Sequence, residues 1–272
     1  MKLLINSSLL LFVILLFSGC LEVRTTVNVN KDGSGTLNEK VLFSKDMVEL
    51  LSSFNVSDTT DSTGSSKFSF VDEKELKSRA AEMGEGVEYV SSKDIKEDGR
   101  EGYCVVYSFN DLSKLKINEN PNNKMNLSET DSGNNEKKEY LTFNFKQGNP
   151  AEILVNMSKR NLNVPSEDKK SSRDTVGADN PFAKQFLNMM KDFRISIGLH
   201  INGKIESTNA SYVEGSNITL FDVAFKELFK DKDKLDEFSR MKDHSISELK
   251  EVLKNIPGIK LELNNPVLIK FD

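Results

Sequence analysis

Apolar and polar side chains alternate in two neighbouring stretches near the start of the chain. Leu21–Asn30 and Thr36–Phe43 each place an apolar side chain at nearly every second position, which is typical of a half-buried β-strand. The segment Lys31–Gly35 between them reads KDGSG, and its two glycines tolerate the positive φ angles of a tight turn. The pattern therefore predicts a β-hairpin with one apolar face.

Helical spacing and end signals predict amphipathic helices in other parts of the chain. Ser44 precedes a short apolar stripe that it can cap, and Asp72 begins a second helix that Gly84 ends. Ser245 and Glu248 form a capping box in front of a third apolar stripe. We expect these helices to pack against a sheet.

Further alternating runs predict additional strands, and no regular alternation of strand and helix accompanies them. The fold class predicted from this mixture is α+β, with a largely antiparallel β-sheet and several short amphipathic helices. The additional predicted strands are Val87–Ile95, Tyr103–Phe109, Tyr140–Phe145, Ile153–Met157, Arg194–Asn202, Asn217–Phe225 and a terminal strand through Val267, Ile269 and Phe271.

A polar stretch near the middle of the chain raises the question of domain number. Residues 118–138 are rich in Asn, Ser, Glu and Lys and contain almost nothing to bury. This loop either separates subdomains at 20–117 and 139–272, or connects strands that pair in one sheet. The sequence leaves both arrangements open.

The first twenty residues carry the most specific motif. Lys2 is followed by the apolar run Leu9–Phe17 and then by Ser18, Gly19 and Cys20. The run is shorter than the ~20 residues that a membrane-spanning helix needs, so it fits a secretory signal peptide. The Ser-Gly-Cys ending resembles the lipobox of bacterial lipoproteins.

This resemblance implies cleavage after Gly19 and attachment of a diacylglyceryl group to Cys20. The chain then consists of a signal peptide at residues 1–19 and a domain at residues 20–272. Its lipid anchor makes the membrane a partner. The alternative is an ordinary signal peptide with an incidental cysteine.

Composition argues against nucleic-acid binding. The 37 basic residues are outnumbered by 42 acidic ones, the formal net charge is −5, and only seven of the basic residues are Arg. Proteins that bind nucleic acid need a clustered basic face, and Arg is the better ligand for phosphate. We therefore expect no nucleic-acid partner.

The KDGSG turn also contains the one metal-binding pattern that the sequence suggests. Asn28, Asn30, Asp32 and Glu39 supply oxygen atoms at spacings that fit a twelve-residue calcium loop, and Gly33 occupies the position of its sharp turn. The flanking segments alternate as strands, whereas a calcium loop of this type lies between helices. A plain hairpin turn explains the same residues, so calcium is the single cofactor hypothesis, and otherwise no cofactor is expected.

Recognised catalytic motifs do not occur in the sequence. His200 lies on the polar face of a predicted strand, and His244 lies between the helix predicted around Leu235–Met241 and the one that begins at Ser245. Cys104 alternates with aromatic and aliphatic residues and is expected to be a small buried hydrophobe. With Cys20 lipidated, Cys104 has no disulfide partner in the same chain. We therefore predict no enzyme activity.

Two segments resemble a group of uncharacterised bacterial lipoproteins and the LppM-like domain type. In the first, Val27–Thr36 places a strand and a DGSG turn almost directly after Cys20. In the second, Ile197–Ala210 and Glu214–Leu220 follow the order strand, glycine turn, Ser-x-Asn and strand. This resemblance implies an α+β domain of the cell envelope without established catalytic residues.

These observations lead to a functional expectation in which the chain is a membrane-tethered, non-catalytic envelope module that binds a lipid, an amphiphile or a protein. The helix Ser245–Ile256 is the expected wall of an apolar groove. The alternatives are a structural or surface-exposed interaction lipoprotein with no small ligand, and an unrecognised hydrolase. The expected location is the outer membrane or cell surface in a two-membrane cell, and otherwise the outer face of the plasma membrane.

Overall fold

Two β-sheets dominate the structure, a computed structural model that describes residues 21–45, 47–49, 70–118, 140–158, 193–228 and 256–272. Helix α1 spans Glu73–Met83, helix α2 spans Phe225–Leu228, and a 3-10 turn spans Leu112–Lys114. The strands are β1 (Leu21–Val29), β2 (Gly35–Phe43), β3 (Val87–Glu97), β4 (Arg100–Phe109), β5 (Lys116–Asn118), β6 (Tyr140–Lys146), β7 (Ala151–Asn156), β8 (Arg194–Ile201), β9 (Ile205–Thr208), β10 (Val213–Glu214), β11 (Asn217–Ala224), β12 (Ile259–Leu261) and β13 (Val267–Phe271).

The first sheet has its earliest strand at its centre. Its order is β10-β11-β8-β1-β2-β4-β3, and β12 pairs with β11. Strand β1 is antiparallel to β2, with Leu21 opposite Phe43 and Val29 opposite Gly35. On its other side β1 runs parallel to β8. The start of β1 is therefore held between two strands.

The second sheet has the order β5-β6-β7-β13-β9, and all of these pairings are antiparallel. Strands from both sides of residues 118–138 contribute to each sheet, since β5 pairs with β6 and β1 pairs with β8. The sequence segments before and after that polar stretch are thus joined by backbone hydrogen bonds.

Alternating apolar residues of both sheets form one hydrophobic core. Val23 and Val29 from the first sheet and Phe143 and Ile153 from the second are buried in the same cluster. Helix α1 adds Leu76 and Ala80 to it. Burial of these faces is the main stabilising term, because free energy falls as apolar surface leaves water.

The KDGSG turn of the first sheet is in contact with the second sheet. Gly33 has φ of +83°, and a Cβ atom at this position would overlap the ring of Phe145 in β6. The Leu112 amide donates to the Gly33 carbonyl oxygen at 2.9 Å. Glycine is required here because the turn needs a positive φ and close contact with an aromatic ring at once.

Most predicted elements in the described residues are confirmed, including the N-terminal hairpin and the predicted strands Val87–Ile95 and Tyr103–Phe109, which pair antiparallel. The Asp72 side chain caps α1, Gly84 ends it, and Ser44 Oγ accepts from the Met47 amide at 3.3 Å. The helix predicted from Ser245 lies outside the described residues.

The α+β prediction needs a correction in emphasis, because the described part is mostly β-sheet with few helices. The sequence pattern did not predict the short strands β5, β9, β10 and β12 or the parallel pairing of β1 with β8. Strands of two to four residues are too short to show alternation, and parallel pairing joins residues far apart in the chain.

Candidate functional site

The residues of the predicted lipobox precede the described part of the chain. Gly19 and Cys20 lie outside the described residues, as does His244. The first described residue, Leu21, is only 1% exposed and already belongs to β1. The residue that follows the predicted lipid attachment point is therefore already part of the sheet.

The structure does not bring the four candidate calcium ligands together. Asn28 Nδ2 donates to Thr36 Oγ1 at 3.0 Å, and Asp32 Oδ1 accepts from the Ser34 amide at 3.0 Å. These are contacts of an ordinary hairpin turn.

The other two candidate ligands are bound to different parts of the protein. Asn30 Oδ1 accepts from Asn202 Nδ2 at 2.7 Å, and Glu39 lies on the opposite sheet face from Asn28. Among the described residues, His, Cys, Asp and Glu form no group of three or more that could hold a metal ion. The geometry thus favours the hairpin interpretation of this segment.

Glu39 is instead part of a buried polar cluster beneath α1. It occupies the apolar register of β2, and Arg79 Nη2 donates to its Oε1 at 2.6 Å. Burial alone would lower the pKa of Arg79, but the Glu39 carboxylate outweighs burial and raises that pKa. Arg79 is therefore ionised, and its contact with Glu39 ties the helix to the sheet.

Two tyrosines complete the Glu39–Arg79 cluster. Arg79 Nη1 donates to the Tyr103 hydroxyl at 3.4 Å, and burial raises the pKa of Tyr103 to about 12. Burial also raises the pKa of Tyr107, whose hydroxyl has no hydrogen-bond partner among the described residues. Both phenols stay neutral near pH 7 and cannot serve as bases there.

A second charged cluster lies at the start of β1 on the face away from the core. Glu22 is 3% exposed and receives hydrogen bonds from Arg24 and Arg100. Burial alone would raise the pKa of Glu22, but the two guanidinium groups outweigh burial and hold it below its usual range. Glu22 is thus an ionised carboxylate with its charge balanced.

Arg194 and Asp222 extend this cluster across the neighbouring strands. Arg194 donates two hydrogen bonds to Asp222, of 2.9 and 2.8 Å, and lies opposite Glu22 in the parallel β1–β8 pairing. The hydrogen bond to Asp222 raises the pKa of Arg194. We call Glu22, Arg24, Arg100, Arg194 and Asp222 the charged row.

A third buried carboxylate, Glu262, fixes a loop. Its oxygens accept hydrogen bonds from the backbone and hydroxyl of Ser211 and from the Asn264 amide. Nearby, Asn209 Oδ1 accepts from the Leu268 amide at 2.7 Å. Asn209 belongs to the Ser-x-Asn segment of the sequence resemblance, and its observed role is to hold β13 in place.

The two remaining candidate side chains lie on different strands of the first sheet, His200 on β8 and Cys104 on β4. His200 Nδ1 lies 2.9 Å from Asn217 Oδ1 on the polar face of β8, as the alternation predicts. Cys104 is half-buried on the face away from the core, because Tyr103 and Val105 take the core positions. The prediction of a buried hydrophobic Cys104 is therefore wrong, and burial raises the pKa of its thiol, which disfavours the nucleophilic thiolate.

The ionisable groups that matter most to the structure were only partly visible in the sequence. Glu39 alternates with Leu37 and Val41, so an acidic residue in an apolar register was a signal of a buried ion pair. Its partner Arg79 lies 40 residues away on a helix, and sequence spacing could not reveal that contact.

Searches for related proteins give little further guidance. No family model matches the chain, and no curated protein matches it. The folded domain of the LppM protein of Mycobacterium tuberculosis, solved by NMR, aligns with 77% of this chain and 85% of its own at 12% identity. The TM-score is 0.31, which is too low to support an argument about function. Within the described residues, no helix combines the length and apolar character required to cross a bilayer.

Proposed function

We propose that this chain is a bacterial lipoprotein whose β-domain is tethered to the membrane through Cys20 and acts as a non-catalytic module of the cell envelope. Its partner is a lipid, another amphiphile or a protein. The proposed location is the outer membrane or cell surface in a two-membrane cell, and otherwise the outer face of the plasma membrane.

The observation that carries the proposal is the placement of β1. The Ser18-Gly19-Cys20 motif lies directly before Leu21, which already pairs in a central strand, so cleavage after Gly19 leaves every described strand intact. A diacylglyceryl group with a further acyl chain provides stable anchoring, at ~0.8 kcal/mol per buried CH₂. The proposed cleavage point is therefore compatible with the fold of the described residues.

The ion pairs and hydrogen bonds of the buried carboxylates support a binding role rather than a catalytic one. Glu22 is neutralised by Arg24 and Arg100, and Glu39 is neutralised by Arg79. Glu262 accepts hydrogen bonds within its own loop. A catalytic acid or base needs a pKa near the working pH and access to substrate, and these groups are committed to structural contacts instead.

The arrangement of the core favours a partner that binds the outside of the domain. The inward faces of both sheets share one cluster in which Phe143, Phe271 and Tyr107 are each no more than 1% exposed. In the described residues the space between the sheets is thus occupied by side chains. This observation supports the protein-binding form of the proposal, and a co-purifying lipid would support the other form.

The test is photo-crosslinking in cells that express the full-length protein. A photoreactive residue replaces Lys31, which is half exposed in the turn at the end of β1 remote from Cys20. The proposal predicts a discrete crosslinked species with protein or lipid that disappears in the Cys20→Ser variant, because that variant is not tethered. Retention of the same species without the anchor, or no crosslinked species from any exposed position, would contradict a tethered binding module.

A further inference from the structure

A single peptide unit separates Cys20, the proposed lipid attachment point, from Leu21 of β1. The Cα atoms of Cys20 and Leu21 are about 3.8 Å apart, as for any trans peptide. Leu21 pairs with Phe43 of β2, and Glu22 pairs with both Leu42 and Arg194. Detaching the start of β1 to form a tether would break pairing on two sides of a central strand.

This spacing identifies one end of the first sheet as the end next to the lipid. We call it the anchored end, and it consists of the starts of β1 and β8, the ends of β2 and β11, and the residues that flank them. Strand β1 has nine residues, so at ~3.3 Å per residue the opposite end lies roughly 25–30 Å farther along the strand. The KDGSG turn is at that distal end.

The two ends differ in chemistry. At the anchored end, Phe43 stacks on Phe70 with ring centroids 5.3 Å apart, and Phe193 meets Phe225 edge to face at 5.5 Å. Phe43 lies opposite Leu21, and Phe193 directly precedes the residue opposite Glu22, so the aromatic pairs flank β1 on its two sides. All four rings are only partly buried.

The anchored end also holds the charged row, and the distal turn is surrounded mainly by polar contacts. Asn30 donates to Ser34, Asn202 donates to Asn30, and the exposed Lys31 donates to Asn149. Partly exposed Phe rings can enter the boundary between headgroups and acyl chains, while the amides and ions of the distal turn stay in water.

We infer that the anchored end rests on the bilayer surface, with the Phe43–Phe70 and Phe193–Phe225 pairs against the lipid on either side of β1. The domain then stands with its distal turn pointing away from the membrane. The inference rests on the proposed lipidation of Cys20. Its partner is the lipid bilayer, because the anchor leaves no length of chain for anything else to lie between.

Site-directed fluorescence tests this orientation in the full lipoprotein. Lys45 is 80% exposed just beyond β2 at the anchored end, and Lys31 is 50% exposed at the distal end of the same hairpin. Lys45→Cys and Lys31→Cys remove the same charge and are therefore matched controls. Each is made with Cys104→Ser, labelled with a small fluorophore and placed in phosphatidylcholine–phosphatidylglycerol vesicles that contain nitroxide-labelled lipid.

We expect strong quenching of the label at position 45 and little at position 31. Equal quenching at the two positions would overturn the inference. Lys226→Cys, an exposed residue of α2 on the other side of β1, is a second probe of the anchored end if the Lys45 variant does not fold. It is expected to be quenched as well.

A linker variant tests whether the short distance between Cys20 and Leu21 is what holds the anchored end against the membrane. Inserting about 20 Gly/Ser residues between Cys20 and Leu21 gives the domain an r.m.s. reach of roughly 25 Å. Quenching at position 45 should then fall toward the value at position 31, and unchanged quenching would contradict the role of spacing. Intact mass is measured first, since an unmodified Cys20 defeats both proposals, whereas equal quenching of a lipidated protein defeats only the orientation.

Discussion

Arg79 of α1 donates to Glu39 of β2 at 2.6 Å inside the core, where the side chains are 13% and 1% exposed. This contact fastens the helix to the first sheet through an ion pair that is largely shielded from water. Losing one member of such a pair leaves the other buried without compensation.

We therefore expect Arg79→Ala to lower the free energy of unfolding by about 3–5 kcal/mol. The matched control is Lys77→Ala on the same helix, which removes an exposed ion pair with Glu73 and should change stability little. Denaturant unfolding of both variants measures the difference. Equal losses would show that the buried pair does not hold the helix in place.

Replacing the two tyrosines of the same cluster by Phe, one at a time, should change the free energy of unfolding differently. Tyr107→Phe removes a buried hydroxyl that has no partner among the described residues, so stability should stay level or rise by up to about 1 kcal/mol. Tyr103→Phe loses the hydrogen bond from Arg79 and should lower stability by about 1 kcal/mol. Thermal and denaturant unfolding compare the pair, and a clear loss in Tyr107→Phe would mean that this hydroxyl is hydrogen-bonded after all.

The contacts of Glu22 in the charged row predict that the free energy of unfolding falls in acid. The folded-state pKa of Glu22 lies below its ordinary value of 4.5, so its stabilising contribution is present above that pH and is lost as pH falls through the folded-state pKa. In Glu22→Gln, the free energy of unfolding should fall less steeply with acid between about pH 5 and pH 2 than in the wild type. Glu214→Gln removes an exposed carboxyl of β10 and serves as the control. If the free energy of unfolding falls as steeply with acid in Glu22→Gln as in the wild type, Glu22 is not the source of the acid sensitivity.

The turn glycines provide a test of the contact between the sheets. Gly99 and Gly33 both have positive φ, but a Cβ at Gly99 meets open space, whereas one at Gly33 overlaps Phe145. Gly99→Ala should cost about 1–2 kcal/mol for the backbone alone. Gly33→Ala should cost distinctly more, as measured by denaturant unfolding, and equal costs would argue against close packing at Phe145.

The sequence predicted the parts of this fold that are local. Val23, Val27 and Val29 alternate with polar residues and occupy the core face, and Asp72 caps a helix through contacts two and three residues away. Such features depend on spacing within a few residues, which the sequence displays directly. The division into two sheets depends on long-range pairing, such as Glu22 with Arg194, and no local pattern encodes it.

The candidate sites follow the same rule. The calcium hypothesis relied on spacing from Asn28 to Glu39, but strand geometry places these two residues on opposite faces. The charged row brings Glu22 together with Arg100 across 78 residues of sequence. A one-dimensional motif could not have predicted that contact, although a carboxylate beside the lipobox was visible.

Lipid attachment at Cys20, directly before a central strand, is the central claim. Intact mass spectrometry of the full-length protein purified from bacterial membranes, with tandem sequencing of its first peptide, tests it most directly. The account predicts a mature chain that starts at Cys20 and carries a thioether-linked diacylglyceryl group. A chain with an unmodified Cys20, or one cleaved at another residue, would contradict it.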